Sequence, residues 1–359
     1  MRTNFLLFCA FLALFGCRDG SNSHVATYIH LNGDAMGTTY HISYRDSLGR
    51  SFQAPVDSIL EAFNKEVSTY DSSSVISRFN RSAEPFELGF TAEEASTWTI
   101  PAPGDRPGAH FVSNYFISLD YYHRSKGAFD PTVMPLVNYW GFGYQGEQAV
   151  EKVDSARVDS LLDLVGLDRV LALEGSRMTK ISPAVQLDFN AIAPGYCVDL
   201  LGKFFEKRGI RNYLVEIGGE VLARGLNDKG EPWNIGINTP SPDAGPEDIK
   251  AVVRLKDRAL ATSGNYRKFY EVNGMKYAHT INPKTGYPEM SNLLSATILA
   301  PSCTEADAMA TACMVMGLDQ AFGFISSQSH LDGYFIFSRP DGSLDIRHTQ
   351  GMEALLVAE

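Results

Sequence analysis

The chain has 359 residues, of which 44% are hydrophobic and 20% charged, enough apolar material for one large domain or two ordinary ones and unlike a chain that stays disordered. Its formal charge of -11 at pH 7 argues against a nucleic-acid partner, which wants a basic face. An anionic small ligand is compatible with that charge if backbone amides or a metal ion hold it locally.

In chain order, Arg2 precedes the apolar run FLLFCAFLALFGC, which has signal-peptide length and is too short for a comfortable membrane span. It ends at Leu14-Phe15-Gly16-Cys17, similar to a bacterial lipoprotein processing box that is cut before the cysteine and carries a lipid on its sulfur. A plain secretory peptide with an incidental cysteine is the alternative. Residues 1–16 are read as signal, 17–24 as lipidated Cys17 and polar tether, and 25–359 as a single folded body. Without Cys9 and Cys17, the scattered Cys197, Cys303 and Cys313 make no disulfide framework and no CxxC zinc pair.

The folded body opens with AMGTTYHISY, which alternates like a half-buried strand. PVDSILEAFNKEVSTY sets Val56, Ile59, Leu60, Phe63 and Val67 at helical spacing. DSSSVISRFN then reads as a loop, and residues 89–111, rich in Pro, Gly and Ala, as a surface connection. A helix over 111–125 closes at Lys126-Gly127. GAFDPTVMPLVNYWGFG reads as an ordered, buried loop, 151–167 as helical, 168–189 as a hairpin or strand pair, and PGYCVDLLGKFFEKRG as a helix. Five strand-like units follow, then the helical TEADAMATACMVMG and a hairpin around Pro340-Asp341-Gly342. Strands dominate the second half without regular alternation with helices, so the expected class is α+β with mixed, largely antiparallel sheets and packed helices.

Neither a GxxxxGK[ST] phosphate loop nor a GxGxxG fingerprint is present. EIGGEV, residues 216–221, is either a tight turn or a point of close backbone approach to a ligand. Asp307 and Thr311 stand four apart, neighbours on one helix face that can offer two oxygens to Mg²⁺; an aspartate near a helix start is also a common cap. In LDFNAIAPGYCVD, Asp188 ends a strand-like run and a loop leads to a helix beginning near Gly195. Such a junction suits a phosphate at the helix N-terminus and a metal at a loop carbonyl, or is a capped junction with nothing bound. In YAHTINPKTGYP, His279 ends a strand-like run before two proline turns, as a hydrogen-bonded core or surface residue or as a catalyst. Tyr70, Phe79, Phe129, Tyr139, Trp140 and Phe142 are core rings or stacking partners for a flat heterocycle.

Taken together, MGTTYHISY, STYDSSSVISRFN, GAFDPTVMPLVNYWGFG, LDFNAIAPGYCVDLL, YLVEIGGEVLARG, WNIGINTP, ATSGNYRKFYEVNGMKYAHTINPKTGYP and ADAMATACMVMG resemble, in this order, the motifs of the ApbE-like flavin transferases. These are FAD:protein FMN transferases, formerly called thiamine-biosynthesis lipoproteins, and the resemblance runs from about residue 33 to 320. It implies the T-fold-related architecture of that family and FAD as substrate. It implies Mg²⁺ held by Asp307, Thr311 and the Ala191 carbonyl, and His279 as the catalytic base. It also implies FAD contacts at Met36, Tyr70, Ala128, Phe129, Asp130, Asp188, Pro194, Ser263 and Ile281. The implied reaction is Mg-dependent transfer of FMN from FAD to a threonine or serine hydroxyl of an acceptor protein, with release of AMP. The implied acceptors are flavoprotein subunits of membrane redox complexes of the sodium-pumping NADH:quinone oxidoreductase or Rnf type. Location follows as lipid-anchored in the bacterial cell envelope, facing the periplasm from the inner membrane. Three positions depart from the family pattern: Pro194 stands where lysine is usual, Asn282 where aspartate is usual, and Glu220 follows the glycine pair where aspartate is common. Two rival readings keep part of this: a Mg-dependent FAD pyrophosphatase giving FMN and AMP, and a lipid-anchored flavin-binding protein without turnover.

Overall fold

The computed structural model describes residues 27–91, 93–94, 106–143, 150, 152–241, 243–245, 247–266, 269–272 and 275–357. The signal segment with Cys9 and Cys17, the tether, and much of the connection at 89–111 lie outside these residues.

One eight-stranded sheet organises the fold. β1 (Thr27–Ala35) and β2 (Thr38–Asp46) form a hairpin whose two loop residues, Met36 and Gly37, both take positive φ, 53° and 76°. That is the turn geometry whose twist matches the flanking strands. Beyond β2 the order runs β6 (Tyr213–Ile217), β7 (Glu220–Arg224), β10 (Arg258–Gly264), β13 (Leu293–Ala300), β14 (Asp332–Ser338) and β15 (Leu344–His348). Every neighbouring pair is antiparallel. Three small sheets flank it: β3 (Phe86–Glu87), β5 (Arg177–Lys180) and β4 (Leu171–Glu174) in that spatial order, β8 (Trp233–Asn238) with β9 (Ile249–Leu255), and β11 (Phe269–Val272) with β12 (Met275–Ala278). The α+β expectation holds.

α1 (Gln53–Val67) buries Val56, Ile59, Leu60, Phe63 and Val67, the five positions its periodicity selects. The stretch read as a loop after it is instead α2 (Val75–Arg81), begun by Ser74, whose Oγ accepts from the Ser77 N–H; the serine run conceals an N-cap. α3 (Ala109–Arg124) ends at Lys126 and Gly127, both with positive φ. The aromatic segment expected as an irregular buried loop is helical, a 3₁₀ turn at Pro131–Val133 running into α4 (Met134–Tyr139). Pro131 and Pro135 occupy first-turn positions, where a missing N–H removes no helical bond. The helix expected over 151–167 is the shorter α5 (Ser155–Leu162), and past Gly166, with φ 113°, the segment expected as a hairpin or strand pair opens instead with a helical turn, α6 (Leu167–Val170), before β4 and β5. α7 (Ala193–Glu206), α8 (Cys303–Met316), α9 (Leu318–Ser326) and α10 (Gln350–Glu353) complete the set. Among the described residues, no helix is long and apolar enough to cross a membrane. Cys197, Cys303 and Cys313 are buried free thiols.

Alternation along the strands divides the interior. Leu222, Ala259 and Ala261 face the main core with α1, α7 and α8, while Val221, Leu260 and Leu299 face a second core closed by β8 and β9 through Trp233, Ile237 and Val253. A third, smaller cluster of Leu136, Trp140, Val158, Leu161, Tyr277 and Ile281 lies under the loop that follows β12.

Candidate functional site

The first turn of α7 lies against the first turn of α8 at Gly195. A methyl group there would stand 2.5 Å from the Cys303 carbonyl oxygen and 2.8 Å from Asp307 Cβ, so glycine permits the approach. The Gly195 N–H donates to Asp307 Oδ2 at 3.0 Å. Asp307 is inside α8 and is not its cap; Ser302 fills that role by accepting from the Glu305 N–H. Burial pushes the Asp307 carboxyl up to about 7, the Gly195 N–H opposes this, and the Asp199 charge adds to it. Glu220, at the start of β7, is pushed up by burial and then by the neighbouring Asp307 charge. One turn along α8 from Asp307, Thr311 Oγ1 lies 3.2 Å from Ser263 Oγ near the end of β10.

Ala191 sits just before Ile192, the N-cap of α7. Its carbonyl precedes the helix, whose first bond runs from the Tyr196 N–H to the Ile192 carbonyl at 2.9 Å, so it takes no part in the helical ladder. Two nearby first-turn positions offer it no amide: Pro194 has no N–H, and the Gly195 N–H is committed to Asp307. A carboxylate, a hydroxyl and a loop carbonyl would make an all-oxygen donor set of the kind that suits Mg²⁺, which takes its remaining ligands from water and phosphate. Among the described residues, no group of three or more His, Cys, Asp and Glu could hold a metal, so a zinc-type centre finds no support there.

Asp188 lies in an extended segment held from both sides. Asn80 Nδ2 donates to the Leu187 carbonyl at 2.8 Å and Asn80 Oδ1 accepts from the Leu187 N–H at 2.8 Å; the Asp188 N–H donates to the Pro131 carbonyl at 2.7 Å. Asp188 is therefore beside the Ala128–Asp130 segment. Asp130 caps the 3₁₀ turn, its Oδ1 accepting from the Thr132 N–H at 2.8 Å and Thr132 Oγ1 at 2.5 Å, and burial pushes it up to about 6. Tyr70 is 68% exposed; partial burial of its hydroxyl and the nearby Asp188 charge both raise its phenol. Phe79, Phe129 and Trp140 are buried core rings and Tyr139 and Phe142 are half-buried, so Tyr70 is the most exposed of the six. The glycine pair of EIGGEV is the two-residue loop between β6 and β7, with Ile217 paired to Glu220. It abuts the Met36-Gly37 turn, since the Gly218 N–H donates to the Thr39 carbonyl at 3.1 Å.

His279 follows β12 directly. Thr280 Oγ1 donates to Asn265 Oδ1 at 2.5 Å, and Asn265 is two residues past Ser263, the partner of Thr311. The His279 loop and Thr311 are thus linked, through Thr280 and Ser263, to the same end of β10. The loop after His279 is braced by the Ile281–Pro288 bridge, by Asn282 N–H to the Tyr287 carbonyl, and by Glu289 N–H to the Thr280 carbonyl, both 2.8 Å. Asn282 Oδ1 accepts from the Lys284 N–H at 2.9 Å and its Nδ2 donates to Glu289 at 3.0 Å, so asparagine here shapes the turn and adds a bond that aspartate could not donate. Trp140 Nε1 donates to the Gly286 carbonyl at 2.8 Å. Trp140, Tyr277, Tyr270 and Phe142 stack in succession with centroids 5.2–5.5 Å apart, and the Phe142 ring lies 6.4 Å from the His279 ring, edge to face.

Sequence reasoning missed Asn80, Asn265 and Asp199, side chains that fix the site through bonds to distant segments. No local pattern marks Asn80; for Asn265 the strand-ending GNY was the available signal.

The ApbE family model matches residues 36–335. The chain belongs to the ApbE family. Among individual relatives, it is 35% identical to the FAD:protein FMN transferase of Vibrio cholerae serotype O1 over 95% of this chain and 96% of that protein. It is 32% identical to the FAD:protein FMN transferase of Escherichia coli K12 over 89% and 88%. Of solved structures, the flavin transferase ApbE from Vibrio cholerae superposes with a TM-score of 0.75 at 33% identity, covering 92% of this chain and 99% of that one. The apo form of the Pseudomonas stutzeri flavinyl transferase ApbE superposes with a TM-score of 0.76 at 30% identity, covering 92% and 97%.

Proposed function

We propose that this chain is a FAD:protein FMN transferase that moves FMN from FAD to a threonine or serine hydroxyl of an acceptor protein and releases AMP. One observation carries the reading: Asp307 of α8 meets the first turn of α7 at Gly195, and Thr311, one turn further along α8, meets Ser263 at the end of β10, to which the His279 loop is tied through Thr280 and Asn265. Family membership and the names of the relatives support it.

In this reading Asp307, Thr311 and the Ala191 carbonyl hold Mg²⁺, which when bound neutralises charge on the FAD pyrophosphate. The exposed Tyr70 ring offers a face to the isoalloxazine. A ring nitrogen of His279 takes the proton of the acceptor hydroxyl. The hydroxyl oxygen attacks the FMN-side phosphorus, the bond from that phosphorus to the bridging oxygen breaks, and AMP departs with the electron pair. FMN remains as a phosphoester. We infer acceptors among flavoprotein subunits of membrane redox complexes of the sodium-pumping NADH:quinone oxidoreductase or Rnf type, and a lipid on Cys17 that keeps the enzyme on the periplasmic face of the inner membrane.

The test is to incubate the protein with FAD, Mg²⁺ and an acceptor domain and to weigh the acceptor by intact mass spectrometry. An added FMN that requires Mg²⁺ is expected. His279→Ala is expected to slow transfer by about 10²–10⁴-fold with FAD binding retained; undiminished transfer refutes the base assignment. AMP and free FMN without added mass would make the protein a pyrophosphatase, and wholly intact bound FAD a carrier.

A further inference from the structure

α7 and α8 cap one another. Asp199, one turn beyond Gly195 on α7, accepts from the N–H groups of Cys303 and Thr304 on α8, both at 2.9 Å, and from Thr304 Oγ1 at 2.6 Å. In return, Asp307, one turn beyond Cys303 on α8, accepts from the Gly195 N–H of α7 at 3.0 Å. Each helix thus supplies an aspartate to amides in the other's first turn, across a contact that tolerates no side chain at Gly195. Asp199 and Thr304 are 5% and 4% exposed, so neither end of this bond competes with bulk water. A carboxylate at a helix N-terminus is favoured by the partial positive charge there, and more so when partly desolvated.

We propose that Asp199 is a positioning residue for the cation site, fixing the register of α8 against α7 so that Asp307 and Thr311 stand at the Ala191 carbonyl. Asp307 and Thr311 belong to α8, whereas Ala191 and Gly195 belong to the chain entering α7, so the three oxygens meet only if the two helices keep their axial offset. The Asp307–Gly195 bond is one tie and engages one carboxylate oxygen. Asp199 supplies three more, at a point that touches none of the three donors. Residues behind metal ligands characteristically orient them in this way. This inference rests on the proposed assignment of the cation ligands.

The experiment measures Mg²⁺ binding by calorimetry on purified protein without FAD, with circular dichroism and melting temperature as controls, for Asp199→Asn, Thr304→Val and Ser302→Ala. Thr304→Val keeps the shape and deletes one bond to Asp199. Ser302→Ala removes a cap from the same helix turn, the bond from the Glu305 N–H, that does not reach α7. Asp199→Asn is expected to weaken Mg²⁺ binding about 10-fold or more and Thr304→Val by a few-fold, whereas Ser302→Ala lowers the melting temperature and leaves affinity within about 2-fold. Wild-type binding with unchanged affinity in Asp199→Asn and Thr304→Val overturns the proposal, as does equal weakening in Ser302→Ala. Should Asp199→Asn fail to fold, Thr304→Val decides. Failure of the wild-type protein to bind Mg²⁺ overturns the cation site itself, and the positioning role with it.

Discussion

Asp307→Asn is expected to stabilise the metal-free protein at pH 8 while removing its response to Mg²⁺. The carboxyl is 6% exposed, and burial raises it from 3.8 to about 7. Because its folded-state value lies above the unfolded one, its stabilising contribution is complete below about pH 4 and is lost as pH rises through about 7. Roughly three pH units at about 1.4 kcal/mol each put the loss on the order of 4 kcal/mol. An asparagine still accepts from the Gly195 N–H, and its NH₂ group, lacking a ready acceptor, offsets about 1–2 kcal/mol. The net gain at pH 8 is about 2 kcal/mol, or about 3 °C in melting temperature. Thermal unfolding of wild type and variant in chelator, and again in excess Mg²⁺, at pH 5.5 and pH 8, checks this. The raised carboxyls Glu66, Asp130 and Asp188 cancel in the comparison, whereas the Asp307 charge that helps raise Glu220, and its repulsion with Asp199, are removed by the substitution and act in the same stabilising direction. A variant that is less stable than wild type at pH 8 in chelator, or that Mg²⁺ stabilises as much as wild type, would refute the reasoning.

Asn265→Ala removes the bond that holds Thr280 beside His279 and should lower kcat about 10-fold or more with little change in FAD affinity, read by steady-state transfer kinetics. Gly286→Ala puts a methyl group 2.7 Å from Val158 Cγ1 at a residue with φ 77°, and should cost about 2–4 kcal/mol in denaturant unfolding. Glu66→Ala strips the acceptor from the N–H groups of Gly108, His110 and Phe111 and should cost about 2–4 kcal/mol in the same assay; a loss below about 0.5 kcal/mol would mean that water replaces the carboxylate at no penalty.

What the sequence made legible was local. The periodicity of α1 and the ends of α3 and α8 followed from side-chain spacing and glycine placement. α2 was hidden because its N-cap lies in a run of serines that reads equally as a loop, and α4 because its prolines look like breakers until they are seen in first-turn positions. At the site, motif resemblance singled out Asp307, Thr311, Ala191 and His279. Their mutual support was not legible, since Asp199 to Cys303 spans 104 residues and Asn80 to Leu187 spans 107, and no spacing rule operates over such separations. The expectation of a cap at Asp307 failed for a related reason: Ser302, five positions earlier, already fills that role.

The loop bearing His279 rests on the small cluster around Trp140 and Tyr277, whereas α7 and α8 lie in the main core. Native proteins open in cooperative units set by such packing, each with its own opening free energy. The amides of Asn282 and Gly286 are therefore expected to exchange in a different unit from those of Gly195 and Cys303. Opening of the smaller unit is expected to release the His279 loop while the α7–α8 contact stays closed, so on the proposed assignments a protein caught in that state would keep its cation and lose its base.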